Sequence, residues 1–207
     1  SRYAGSLNDP SRMAANYAGV SGANDARNDI IIRGNSPLGL LWRLNGMEIP
    51  NPNHFGSIGT TGGPISILNN NLLDKSDFMT SAFPAEYGNA LAGVFDLQMR
   101  SGNNEKREYL VQVGFNGFEF GAEGPLGKKS GGSYLVNYRY STLGVFKALG
   151  IEFGTGAAVP DYQDLSFNIT FPGSKAGKIS IYGVGGISNV EVLDKERDTT
   201  ITDLYND

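Results

Sequence analysis

The sequence predicts a chain in two parts, an α+β unit over residues 1–102 and, over 103–207, the antiparallel strands of an incomplete transmembrane β-barrel. Three observations predict it: strict alternation of apolar and polar residues after Gly102, Asn-Gly pairs between apolar runs, and connections of very unequal length.

The alternation is clearest from Tyr162 to Phe171, where Leu165, Phe167, Ile169 and Phe171 share one face and Asp164, Ser166, Asn168 and Thr170 the other. It recurs in Ser133–Ser141, with Tyr134, Val136, Tyr138 and Tyr140 opposing Leu135, Asn137 and Arg139, and in Lys178–Gly185, led by Ile179 and Ile181. Between Glu108 and Gly124 the phase slips at Asn116-Gly117, a pair that tolerates the positive φ of a type I′ turn. A hairpin there sets Phe115 opposite Phe118 and Val113 opposite Phe120 and keeps the apolar face continuous.

Five antiparallel strands are therefore expected, near 108–115, 118–124, 133–141, 162–171 and 177–185. Bacterial single-chain barrels have about 8 or more strands, and an open edge in lipid leaves backbone groups unpaired, so the sequence reads as a fragment. Short connections at Pro125–Gly132 and Pro172–Ala176, against the long Thr142–Asp161, set a direction: short turns and Lys128, Lys129, Lys175 and Lys178 on the periplasmic side, the long loop and the stretch after Gly185 outside. A soluble β-sandwich, as in a surface adhesin or ligand-binding module, gives the same alternation and is the alternative.

In the first half, Asp9-Pro10 supplies a cap and a first-turn proline for a short helix through Met13–Tyr17 that Gly19 ends. Ile30–Ile32 reads as a buried strand, and Leu38–Leu44 and Met47–Ile49 flank a second hairpin pair, Asn45-Gly46. A helical turn is expected near Ile65–Asn70 and strands at Lys75–Ser81 and Gly93–Arg100.

Composition narrows the function. The chain has 29 glycines and no cysteine, so disulfides and thiolate metal sites are excluded. The net charge of −4 is carried by Glu191–Asp207, and no basic surface of the kind that tracks phosphates is present, so no nucleic-acid partner is expected. No apolar run is long enough for a transmembrane helix, and no signal peptide is recognisable. Nor is an enzyme expected. No G-x-S-x-G elbow occurs, and Gly127-Lys128-Lys129-Ser130 lacks the P-loop's Ser or Thr after the lysine and its leading glycine. The glycines Gly183, Gly185 and Gly186 lack dinucleotide-binding spacing, and the sequon Asn168-Ile169-Thr170 lies mid-strand. His54, the single histidine, cannot by itself define a metal site, and no cofactor is implied.

Several segments carry a family resemblance: Ile31-Ile32-Arg33-Gly34, Leu40–Ile49 with its Asn45-Gly46 turn, Asp77–Thr80, Glu86-Tyr87-Gly88, Ala92-Gly93-Val94, and Arg100-Ser101-Gly102. In order and spacing they resemble the plug domain of TonB-dependent outer-membrane receptors, of Bacteroidetes type around Arg2–Met13, and Gly124-Pro125-Leu126 is similar to the first barrel hairpin of that family. The resemblance implies a plug domain at 1–102, truncated at its N-terminus, and the first barrel strands at 103–207. It also implies active nutrient uptake through a barrel of about 22 strands in the cell outer membrane, with the plug occluding the barrel. Its partners would be TonB in the full-length protein, a small nutrient ligand and outer-membrane lipid. The chain departs from the family in having Asn45 for Asp and Thr80–Pro84 in place of an R-G-P run, and no TonB box is recognisable.

On that reading Asp164, Ser166, Asn168 and Thr170 face a wet lumen, and Tyr134, Tyr138, Tyr140 and Tyr162 are candidates for an interfacial aromatic girdle. The candidate ligand-binding residues are Asn51, Asn53, His54 and Phe55, in the polar, glycine-rich loop Asn51–Gly63. Arg33, Glu86 and Arg100 are candidates for plug-to-barrel ion pairs, the arginines with inward carboxylates such as Asp164 or Glu119.

Overall fold

The computed structural model describes residues 9–22, 26–56, 60–114, 117–127, 131–141, 158–174 and 177–192. Strand is the dominant state: among these residues there is one α-helix, with thirteen strands in four separate sheets. The expected α+β unit is therefore corrected to an almost wholly β lobe. The expected incomplete transmembrane barrel is corrected as well, because among the described residues every sheet is open and none closes on itself.

Helix α1 (Pro10–Ala14) starts as expected, with the Asp9 carboxylate accepting the Ser11 amide at 2.8 Å. It stops well short of Gly19 because the Asn16 side chain donates to the Arg12 and Met13 carbonyls and ends the ladder. Strands β1 (Val20–Gly22) and β2 (Ile30–Ile32) pair antiparallel. Next come β3 (Leu40–Leu44) and β4 (Met47–Glu48), joined by Asn45 and Gly46 at φ 49° and 83°, the doubly positive turn that this pair favours. Strands β5 (Asn53–His54) and β6 (Ile65–Ser66) form a two-stranded ribbon. The helical turn expected over Ile65–Asn70 is thus a strand followed by a 3-10 turn at Asn70–Leu72. There Ser66 Oγ accepts from Leu68 N and Asn69 Oδ1 from Asn71 N, offering local partners that compete with a helix.

Strands β7 (Asp77–Met79) and β8 (Gly93–Leu97) complete a mixed sheet of order β4-β3-β8-β7, in which β3 and β8 run parallel. Its core holds Ile32, Leu40, Trp42, Leu44 and Phe95, with the Trp42 and Phe95 rings stacked at 4.2 Å. Burial raises the Asp9 carboxyl above its ordinary 3.8, although Ser11 and Asn28 donate to it. The folded chain therefore takes up this proton more readily than the unfolded one, so the stability it contributes is full at low pH and falls as pH rises through the raised value. Asp9→Asn is expected to remove that slope above pH 4 while keeping the cap, as read from urea midpoints measured across pH.

The second half folds as a five-stranded antiparallel meander of β9 (Glu108–Gly114), β10 (Gly117–Pro125), β11 (Ser133–Tyr140), β12 (Ala158–Ser174) and β13 (Gly177–Val192). The strands sit where the alternation places them, but β12 and β13 reach 17 and 16 residues, longer than expected. The first hairpin differs in register: Gly114 pairs with Gly117, Val113 with Phe118 and Val111 with Phe120, so Gly117 belongs to the strand and not to the turn. The shift is by two residues, so the apolar face survives it. The expectations for Phe115-Asn116, Lys128, Lys129, Lys175, the loop 142–157 and the acidic stretch beyond 192 concern positions outside the described residues.

Candidate functional site

The meander is inside out for a soluble sheet. On one face Glu119, Asn137, Asp164, Ser166, Asn168 and Thr170 are buried, at 2–6% exposure. On the other, Val111, Val113, Phe120, Ile179 and Ile181 are 50–67% exposed. The polar face is buried because the N-terminal lobe lies on it, and the contacts between them combine hydrogen bonds with an apolar patch in which Leu135, Tyr182 and Val184 of the sheet pack on the lobe core.

Three carboxylates on the sheet anchor the lobe. Asp164 on β12 receives Arg139 Nε at 2.9 Å and one terminal nitrogen of the same guanidinium at 2.8 Å. That nitrogen also donates across the seam to the Ser66 and Ile67 carbonyls, at 2.6 and 3.0 Å. His54 Nε2 lies 3.0 Å from the second Asp164 oxygen, and its ring packs on Tyr162 at 4.9 Å between centroids. Glu119 Oε1 accepts from Asn69 and Asn71 of the lobe and from Asn137 of the neighbouring strand, at 2.7 to 3.0 Å. Glu123 holds Arg100 in a two-pronged pair at 2.6 and 2.7 Å and also accepts the Asn103 amide. This pair raises the Arg100 proton affinity further, so the guanidinium stays charged at any working pH.

Weaker bonds complete the seam: Asn168 to the Arg100 carbonyl, Lys178 to Ser101 and Tyr182 to the Leu44 carbonyl. Two glycines let the surfaces approach. A Cβ on Gly102 would lie 2.0 Å from the Tyr134 carbonyl oxygen, and one on Gly186 would lie 2.5 Å from the His54 ring.

Of the residues singled out from sequence, Arg100 pairs with the sheet, with Glu123 as its partner instead of Asp164 or Glu119. Arg33 and Glu86 are exposed in turns of the lobe, and neither forms an ion pair among the described residues. Asn53 and His54 are buried and serve as scaffold. Asn53 Oδ1 accepts from Asn28 and its amide donates to Asn51 and Thr61, while Asn51 reaches the Thr60 carbonyl. Phe55 is partly buried at φ 56°, with its ring edge-on to Tyr162. Tyr162 itself lies on the polar, lobe-facing side and not in a girdle, since its even number puts it in phase with Asp164.

Sequence reasoning did not single out Asn69, Asn71, Arg139 or Glu123. The usable signal was their phase, since Glu119, Glu123, Asn137 and Arg139 all fall on the polar side of the alternation. Among the described residues no cluster of metal-ligating side chains occurs, and no helix is long and apolar enough to cross a membrane. The chain matches no protein-family model and no curated protein.

Proposed function

We propose that the chain is part of a TonB-dependent outer-membrane receptor for the active uptake of a small nutrient, in which residues 9–102 occlude the pore and the meander belongs to the surrounding wall. The observation that carries this reading is the inverted sheet, whose apolar face is bare and whose polar face is covered by the lobe. In water such a face would associate or collapse, whereas in a bilayer it needs no partner. The lengths of β12 and β13 also suit it, since a tilted strand crosses the hydrocarbon in about 9–11 residues and leaves the ends of these strands free to project. The motif resemblance at Ile31–Gly34, Leu40–Ile49 and Ala92–Val94 adds the family, and with it TonB as the energising partner.

A seam rich in hydrogen bonds suits a lobe that must shift. Those bonds can be exchanged for water as the lobe moves, while the patch at Leu135, Tyr182 and Val184 is the part that resists separation by burying apolar surface. The sandwich adhesin would need a second sheet over Val111, Phe120 and Ile181, and the described residues supply none.

The test is fractionation of the native cells with an antibody raised against this chain. An outer-membrane band several times heavier than 22.1 kDa is expected, and a soluble product near that mass would overturn the reading.

A further inference from the structure

The bare face is not uniform. Across β11, β12 and β13 its rows read Tyr140, Gln163, Ile187; then Tyr138, Leu165, Gly185; then Val136, Phe167, Gly183; then Tyr134, Ile169, Ile181. Two adjacent rows thus end in glycine between two that end in isoleucine. The result is a hollow of about 530 Å³ floored by Gly185 and walled by Leu165, Phe167 and Ile187. The Phe167 ring leans over Gly183, where a Cβ would come within 2.7 Å of it, while a Cβ on Gly185 would meet nothing within 4 Å. The second glycine is therefore the open floor.

One corner of the hollow is polar. Tyr138 donates its hydroxyl to Gln163 Oε1 at 2.8 Å, which orients the amide and leaves its nitrogen without a hydrogen-bond partner among the described residues. The one carboxylate at the rim, Asp164, is turned to the other face and held by Arg139 and His54. The hollow therefore offers apolar walls, no free charge and a neutral N–H donor at one end. Such a site fits an acyl chain with an ester carbonyl at its head.

Resting on the membrane reading above, we propose that this hollow seats one acyl chain of a membrane lipid, lying along Leu165 and Phe167, with its ester carbonyl accepting from Gln163 Nε2. The bilayer itself supplies the occupant, since the hollow is continuous with the apolar face that meets lipid on that reading.

The test uses the native gene product in phosphatidylethanolamine vesicles doped with a phosphatidylethanolamine that carries a photoactivatable diazirine in one acyl chain, with adducts mapped by peptide mass spectrometry. Adducts are expected to concentrate on Leu165, Phe167 and Ile187. Gly185→Leu, which has room for its side chain, should lower them about tenfold by filling the hollow, and leave adducts on Val111 and Phe120 unchanged. Gln163→Leu, which leaves the hollow open, should lower them about fivefold through loss of one neutral hydrogen bond. Even labelling along the face that neither variant alters would overturn the site and leave the membrane reading standing. No labelling anywhere on the face would overturn both.

Discussion

Asp164→Ala is expected to destabilise the lobe by about 3–5 kcal/mol, the cost of stranding a buried guanidinium. Arg139 and Asp164 are 12% and 2% exposed and share two hydrogen bonds, so alanine leaves the arginine's charge without its counter-ion in a site where little water can replace it. His54 loses its Nε2 partner in the same step. Arg139→Met added to Asp164→Ala should recover part of the loss, since removing a buried pair together costs less than breaking it. Recovery stays partial because the guanidinium also satisfies the Ser66 and Ile67 carbonyls. The readout is the fluorescence of Trp42, the one tryptophan, which lies in the lobe core against Phe95. Its urea midpoint should fall sharply in the single variant, and a single variant within about 1 kcal/mol of wild type would show that the seam does not depend on this hub.

The three carboxylate anchors differ in what holds them, and the difference orders their strength. The Asp164 group is buried and charged on both sides, Glu119 is buried but served by neutral amides, and Arg100 with Glu123 is partly solvated at 33% and 14% exposure. Solvent screens the last pair, so its contribution is the smallest of the three charge-bearing contacts despite the shortest distances. A lobe that separates from the sheet would therefore open at Arg100 before it opens at Asp164.

Much of the meander was legible because a sheet with one polar and one apolar face writes a period of two into the chain, and Leu165–Phe171 shows it without a break. Its first turn was misplaced by the strength of the Asn116-Gly117 signal, which Gly117 overrides by pairing with Gly114 within the sheet. The lobe was less legible. Its strands are two to five residues long, too short to display a period, and the parallel pairing of Leu40–Leu44 with Gly93–Leu97 joins segments far apart in sequence. The seam was half visible: the inward carboxylates could be read from phase, but which lobe groups meet them depends on loop paths. His54 illustrates the limit. A lone histidine in a polar loop reads as a ligand contact, and only its proximity to Asp164 and Tyr162 shows it to be a packed bridge between lobe and sheet.

Gly102→Ala is the second large effect, and it acts through the backbone. Arg100-Ser101-Gly102 leads out of the lobe and passes directly over β11, where a Cβ would lie 2.0 Å from the Tyr134 oxygen and 2.6 Å from its carbonyl carbon. Both are main-chain atoms of a paired strand, so no rotamer change relieves the contact, and either the 100–102 segment or β11 must move. Moving the segment stretches the Arg100–Glu123 pair, the Asn103 amide bond to Glu123 and the Asn168 bond to the Arg100 carbonyl together. A loss at or above the upper end of the usual overpacking range, about 3 kcal/mol, is expected. Gly186→Ala is the informative comparison, because the nearest contact of its Cβ is a side chain, the His54 ring, at 2.5 Å, with main-chain atoms no closer than 3.0 Å. The Trp42 urea midpoint should therefore drop further for Gly102→Ala than for Gly186→Ala. The reverse order would mean that the His54 ring, and not the strand backbone, is the more rigid side of the seam.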